Sequence, residues 1–106
     1  MLVAATPRSF SLHLHHVPAG CRLDFPPLPG CFAYVYRRCR QRAWQCVAHN
    51  ACSPHIDRFA PPLDAQPEYV VCYCDAAGTI VAATPIAQTH PHSLPAPQSW
   101  MQLSAA

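Results

Sequence analysis

Cys72 and Cys74 are the sharpest local feature of the chain, set in the run EYVVCYC. If that run is extended, both sulfurs leave the same face about 7 Å apart, two residue rises along the strand. A disulfide needs Cβ atoms about 3.5–4.5 Å apart, so the two are not expected to bond each other. A soft metal ion is the chemistry such thiols suit, and it would need further ligands. Cys46 or Cys39, on a neighbouring strand, could share the face, although no complete ligand set stands at zinc-site spacing. The plainer reading is a strand that carries outward thiols. His13 and His15, followed by His16, put two imidazoles on one strand face. That is a two-ligand start for a transition metal without a third, or else an exposed strand face. His90 and His92 fall in a Pro-rich stretch. Arg37, Arg38, Arg40 and Arg42 crowd six positions, where their forks could meet phosphates or carboxylates or simply solvate a turn. Catalysis has the poorest support. The acids are scattered, no Ser stands in a nucleophile elbow, and no Gly-rich phosphate loop occurs. No cofactor is expected.

The elements that must position these groups are short. One domain fits 106 residues. Leu, Ile, Val and Phe together supply only 22 residues, so the core must be small, and 13 Pro argue against long helices because each internal Pro removes a donor. All seven basic residues are Arg, against five acids, and a net charge of +2 gives no electrostatic case for a nucleic-acid partner. No stretch approaches the ~18 consecutive apolar residues of a membrane span, and the opening MLVAATPR lacks the features of an export signal. A cytoplasmic chain is the default expectation.

Period-2 alternation marks the strands. Residues 10–16 alternate Phe10, Leu12 and Leu14 against Ser11, His13 and His15, and stop at Pro18, Ala19 and Gly20. Residues 21–25 bring Leu23 and Phe25 before two prolines, and residues 31–37 are aromatic and β-branched. The charged hexamer RRCRQR could open a helix, but a hairpin turn into a strand at residues 43–48 fits better. A weak strand covers residues 55–59. Glu68–Cys74 is the best strand, with Tyr69, Val71 and Tyr73 on one side and Val70, Cys72 and Cys74 on the other. DAAG makes a turn in which Gly78 supplies a positive φ. Residues 79–86 then return as the last strand, with Pro85 suited to an edge. Seven short strands without a convincing helix predict an all-β, antiparallel two-sheet sandwich.

Order and spacing go further. Leu63 precedes Tyr69 by six residues, and Tyr69 opens Tyr-x-Val-x-Tyr-x-Asp-x-x-Gly, ending at Gly78. LDFPPLPGCFAYVYR sets two strands around a Pro-rich turn ending in Pro29-Gly30. The chain resembles a fibronectin type III domain over residues 7–89, within the immunoglobulin-like class of sandwiches. The resemblance implies strands A, B and E in one sheet and C′, C, F and G in the other. It makes Leu63 a core leucine between strands E and F, and Tyr69 a tyrosine-corner residue whose hydroxyl bonds backbone a few residues upstream. Phe25 takes the place of the usual strand B Trp, Asp57 ends strand E, and Trp44 and Val71 are expected to pack in the sandwich. Gln66 and Pro67 depart from the family's usual Gly and Thr.

These features predict a non-catalytic interaction or spacer module whose partner is a protein, with residues 1–6 flexible and residues 90–106 a disordered tail. A thiol-dependent metal-binding or redox protein using Cys72, Cys74, Cys46, His13 or His15 is the alternative. A marginally folded product of a spurious reading frame is the third reading. The sequence carries no signal for oligomeric state.

Overall fold

The strand with the strongest alternation, Glu68–Cys74, is the seam of the molecule. The computed structural model describes residues 10–61 and 65–89, and among them there are eight strands and no helix. They are β1 (His13–Val17), β2 (Gly20–Asp24), β3 (Phe32–Arg38), β4 (Gln45–Ala48), β5 (His55–Asp57), β6 (Glu68–Cys74), β7 (Ile80–Ala83) and β8 (Ala87–Gln88). One sheet runs β1-β2-β5, the other β4-β3-β6-β7, with β8 also pairing β6, and every pairing is antiparallel. The strands divide between the sheets as expected. Residues 1–9, 62–64 and 90–106 lie outside the described residues, and with them the expectations for both termini, Leu63, His90 and His92.

Alternation decides the core. Tyr69, Val71 and Tyr73 of β6, Val35 of β3 and Leu23 of β2 are at most 1% exposed, joined by Cys21, Phe25 and Ala33. Each large apolar side chain buried this fully contributes about 1.5–3 kcal/mol, so five of them carry much of the stability of so small a core. The Tyr73 hydroxyl donates to the Pro26 carbonyl at 2.6 Å, which ties β6 to the Pro-rich turn behind β2. Val71 and Phe25 sit in the core, and Gly78 takes φ +87° in the turn after Asp75. There the Asp75 carboxylate accepts from Ala77 N and Thr79 N at 2.9 and 3.0 Å.

Several expected boundaries move. The first strand begins at His13 rather than Phe10, because its partner β2 ends at Asp24, where Pro26 and Pro27 can no longer donate. Phe10 and Leu12 still pack on the core, the Phe10 ring 5.3 Å from that of Tyr73. The weak strand stops at Asp57. The return strand breaks into β7 and β8 around Pro85, and Thr84 spans the gap: its Oγ1 accepts from Val71 N at 3.0 Å while its own N–H donates to Val71 O at 2.9 Å.

Gly20 does more than open β2. At φ +146° it passes so close to β5 that a Cβ there would lie 2.1 Å from the Asp57 carbonyl oxygen.

Candidate functional site

Two places gather the chain's chemistry: a polar junction between the sheets and the outward face of the four-stranded sheet. At the junction, β5 delivers Asp57, β6 delivers Tyr69 and β3 delivers Arg37. The Tyr69 hydroxyl donates to Asp57 Oδ2 at 2.6 Å, and Arg37 Nη1 donates to the same oxygen at 2.7 Å. The two side chains of that ion pair are only about a tenth exposed, and the Arg37 guanidinium lies over the Phe59 ring, 3.6 Å from its centroid. The tyrosine-corner expectation is therefore corrected in one respect. The Tyr69 hydroxyl bonds a carboxylate on β5, not upstream backbone, because Asp57 closes that strand directly beside it and a charged acceptor is the stronger one.

Burial and the Asp57 charge hold the junction's phenol and thiol in their protonated forms. Burial, then the Asp57 hydrogen bond and charge, push the Tyr69 phenol up, so it stays protonated. Burial, then the Asp57 charge, push the Cys21 thiol up to about 11, outweighing the lowering effects of hydrogen bonds with Tyr69 and at His15. A thiol held this way is a poor nucleophile at neutral pH. A cavity of about 500 Å³ opens beside the cluster, bounded in part by Val17, Cys21, Phe59, Pro67 and Tyr69.

The arginine cluster also divides differently from the expectation of a single solvated turn. Arg37 and Arg38 belong to β3, which runs two residues into the charged hexamer because both guanidinia find carboxylates, Arg37 that of Asp57 on β5 of the other sheet and Arg38 that of Glu68 on the adjoining β6. Arg38 Nε donates to Glu68 Oε1 at 2.6 Å, and its guanidinium stands 4.4 Å from the ring centre of the half-buried Trp44. Arg40 and Arg42 remain in the turn, which takes positive φ at Arg40 and Gln41.

On the outward face, register lays residues in rows across the strands. Phe32, Cys74 and Ile80 form one row, Tyr34, Cys72 and Ala83 the next, and Tyr36 lies between Cys46 and Val70 in a third. Cys74 is a correction. It was expected to be accessible beside Cys72, but it is only 6% exposed, flanked in register by Phe32 and Ile80 where a bulge disturbs the β6–β7 pairing. The thiols share a neighbourhood: burial first, then Cys74 and Cys46, push the Cys72 thiol up. Cys46 and Cys72 nonetheless stand on either side of β3, about 10 Å apart at two strand spacings, beyond the reach of a disulfide. All seven cysteines are free.

His13 and His15 sit on β1 in the other sheet, both exposed, with His15 Nε2 3.0 Å from Asp24 Oδ2. The five candidate ligands are thus split between two sheets, and among the described residues no group of three or more His, Cys, Asp or Glu is arranged to hold a metal ion. Sequence reasoning missed Arg37, Asp57 and Thr84 as partners. Asp57 was visible only as the end of a strand, and no local pattern announces a contact 20 residues away.

No family model matches the chain, and neither a curated protein nor a solved structure matches it.

Proposed function

We propose that the chain is a non-catalytic, fibronectin type III-like sandwich that serves as an interaction or spacer module with a protein partner. The observation that carries this reading is how the side chains are spent. The ionisable groups at the sheet junction, Arg37, Asp57 and Tyr69, are engaged with one another, while three successive outward rows of the four-stranded sheet hold aromatic, aliphatic and thiol groups and the charges of the next row, Arg38 and Glu68, are paired with each other. Antiparallel sheets with one solvated face ordinarily turn polar residues outward, and an apolar outward face is a mark of protein contact. The strand division β1-β2-β5 against β4-β3-β6-β7 and a buried tyrosine at the start of β6 support the resemblance.

The test is metal analysis of protein purified without oxygen, followed by melting with and without a chelator. The expected result is no stoichiometric metal and an unchanged melting temperature. Bound zinc or copper at one per chain, with a chelator-sensitive transition, would overturn the reading in favour of a metal protein.

A further inference from the structure

We infer that the outward face of the four-stranded sheet is an interface between two copies of this chain, an inference that rests on the interaction-module reading above.

The face has relief. Phe32, Tyr34 and Tyr36 follow one another along β3 as a ridge of rings, since the intervening Ala33 and Val35 turn into the core. Beside them on β6 runs a furrow of smaller side chains, Val70 and Cys72, ending at the buried Cys74. The exposed Phe32 and Ile80, at 41% and 56%, stand on either side of the furrow at one end. A two-fold axis lying along the strands between β3 and β6 sets β3 of one copy over β6 of the other. Each ridge then drops into the other copy's furrow, Tyr34 over Cys72 and Tyr36 over Val70, at the ~10 Å spacing of packed sheets. A two-fold across the strands would instead set ridge on ridge.

Charge agrees with shape. A second copy brings the same +2 net charge, yet the three rows present no carboxylate or guanidinium to oppose its twin; His49 stands edge-on to Tyr34 at 5.4 Å, and Arg38 and Glu68 in the next row neutralise each other at 2.6 Å. Area sets the strength. Two strands of seven residues and two of four, at ~3.4 Å per residue and ~4.8 Å spacing, give a footprint of about 360 Å² per copy. That is less than half of the ~800 Å² per partner in a standard interface, so the pair belongs to the weak, reversible class.

Sedimentation under reducing conditions, from about 1 μM to about 1 mM, tests this. Wild type is expected to pass from monomer to dimer. Tyr34→Lys and Cys72→Glu are each expected to be monomeric, and an equimolar mixture of the two to recover association, because one pairing restores a Lys opposite a Glu and the other keeps the native contact. Ile56→Glu, on the other sheet, should dimerise like wild type. Should either charged variant fail to melt cooperatively, Tyr34→Ala gives the reading without a charge, with dimerisation about tenfold weaker or more.

A wild type monomeric at 1 mM, a mixture of folded variants that stays monomeric, an Ile56→Glu that loses association equally, or an undiminished Tyr34→Ala dimer overturns the interface. None of these results touches the interaction-module reading itself, which stands or falls on the metal analysis.

Discussion

Asp57 accepts from two sides at once, and that makes its two donors unequal in cost when removed. Tyr69→Phe deletes one donor while Arg37 still neutralises the carboxylate, so a loss of about 2 kcal/mol is expected, the worth of a hydrogen bond to a charged group. Asp57→Ala strips both Arg37 and Tyr69 of their acceptor inside the sandwich and should cost more, about 3–5 kcal/mol. Urea unfolding of the two variants ranks them; a Tyr69→Phe protein as stable as wild type would show the hydroxyl bond to be idle. Cys21 sets an alkaline limit. Its pKa is raised in the fold from 9.0 to about 11, so its contribution is complete below pH 9 and is lost as pH rises from about 9 to about 11. The loss is at most about 3 kcal/mol. Melting temperature should fall across that window, and Cys21→Ala should flatten the fall only in part, because Tyr69 and Cys72 are pushed up in the same direction.

At the scale of elements, the return of the chain along β6 depends on one hydroxyl. Pro85 breaks the last strand, and Thr84 keeps the ladder closed by offering Oγ1 to the Val71 amide. Thr84→Val preserves the shape of the side chain and leaves that buried amide without an acceptor, at a cost of about 1–3 kcal/mol. Hydrogen exchange at Val71 should speed up before the rest of β6 does. The approach of β2 to β5 depends on a missing atom. Gly20→Ala would set a Cβ against the Asp57 backbone oxygen, which cannot swing aside as a side chain can, so a loss of about 2 kcal/mol or more is expected in denaturant unfolding. A wild-type midpoint would mean that β5 gives way there. The strands themselves were legible. Glu68–Cys74 is rich in β-branched and aromatic side chains and its burial alternates from Glu68 to Tyr73, so the strand was readable from consecutive residues. Pro26, Pro27 and Pro85 were visible too, but where they end a strand depends on which neighbour needs the missing donor.

Across the whole molecule, the two sheets share one small core and one polar clasp, so they should melt together. Far- and near-ultraviolet circular dichroism are expected to follow a single coincident transition; two separated ones would mean the sheets are independently stable. The residues proposed from sequence for metal chemistry fared differently, and for a physical reason. Cys72, Cys74 and Cys46 fell on one sheet and His13 and His15 on the other, because period-2 patterning tells which face a residue takes within its own strand and nothing about which strand lies alongside. The hairpin closed by Asp75 and Gly78, the all-β class and the inward side of Tyr69, Val71 and Tyr73 are properties of consecutive residues, and the sequence by itself determined them. Tertiary structure decided the rest: that Tyr69 would meet Asp57, that Arg37 would leave the solvated turn for the same carboxylate, and that Cys74 would be covered. Each of these is a contact between distant segments, fixed only when β5, β3 and β6 are brought side by side.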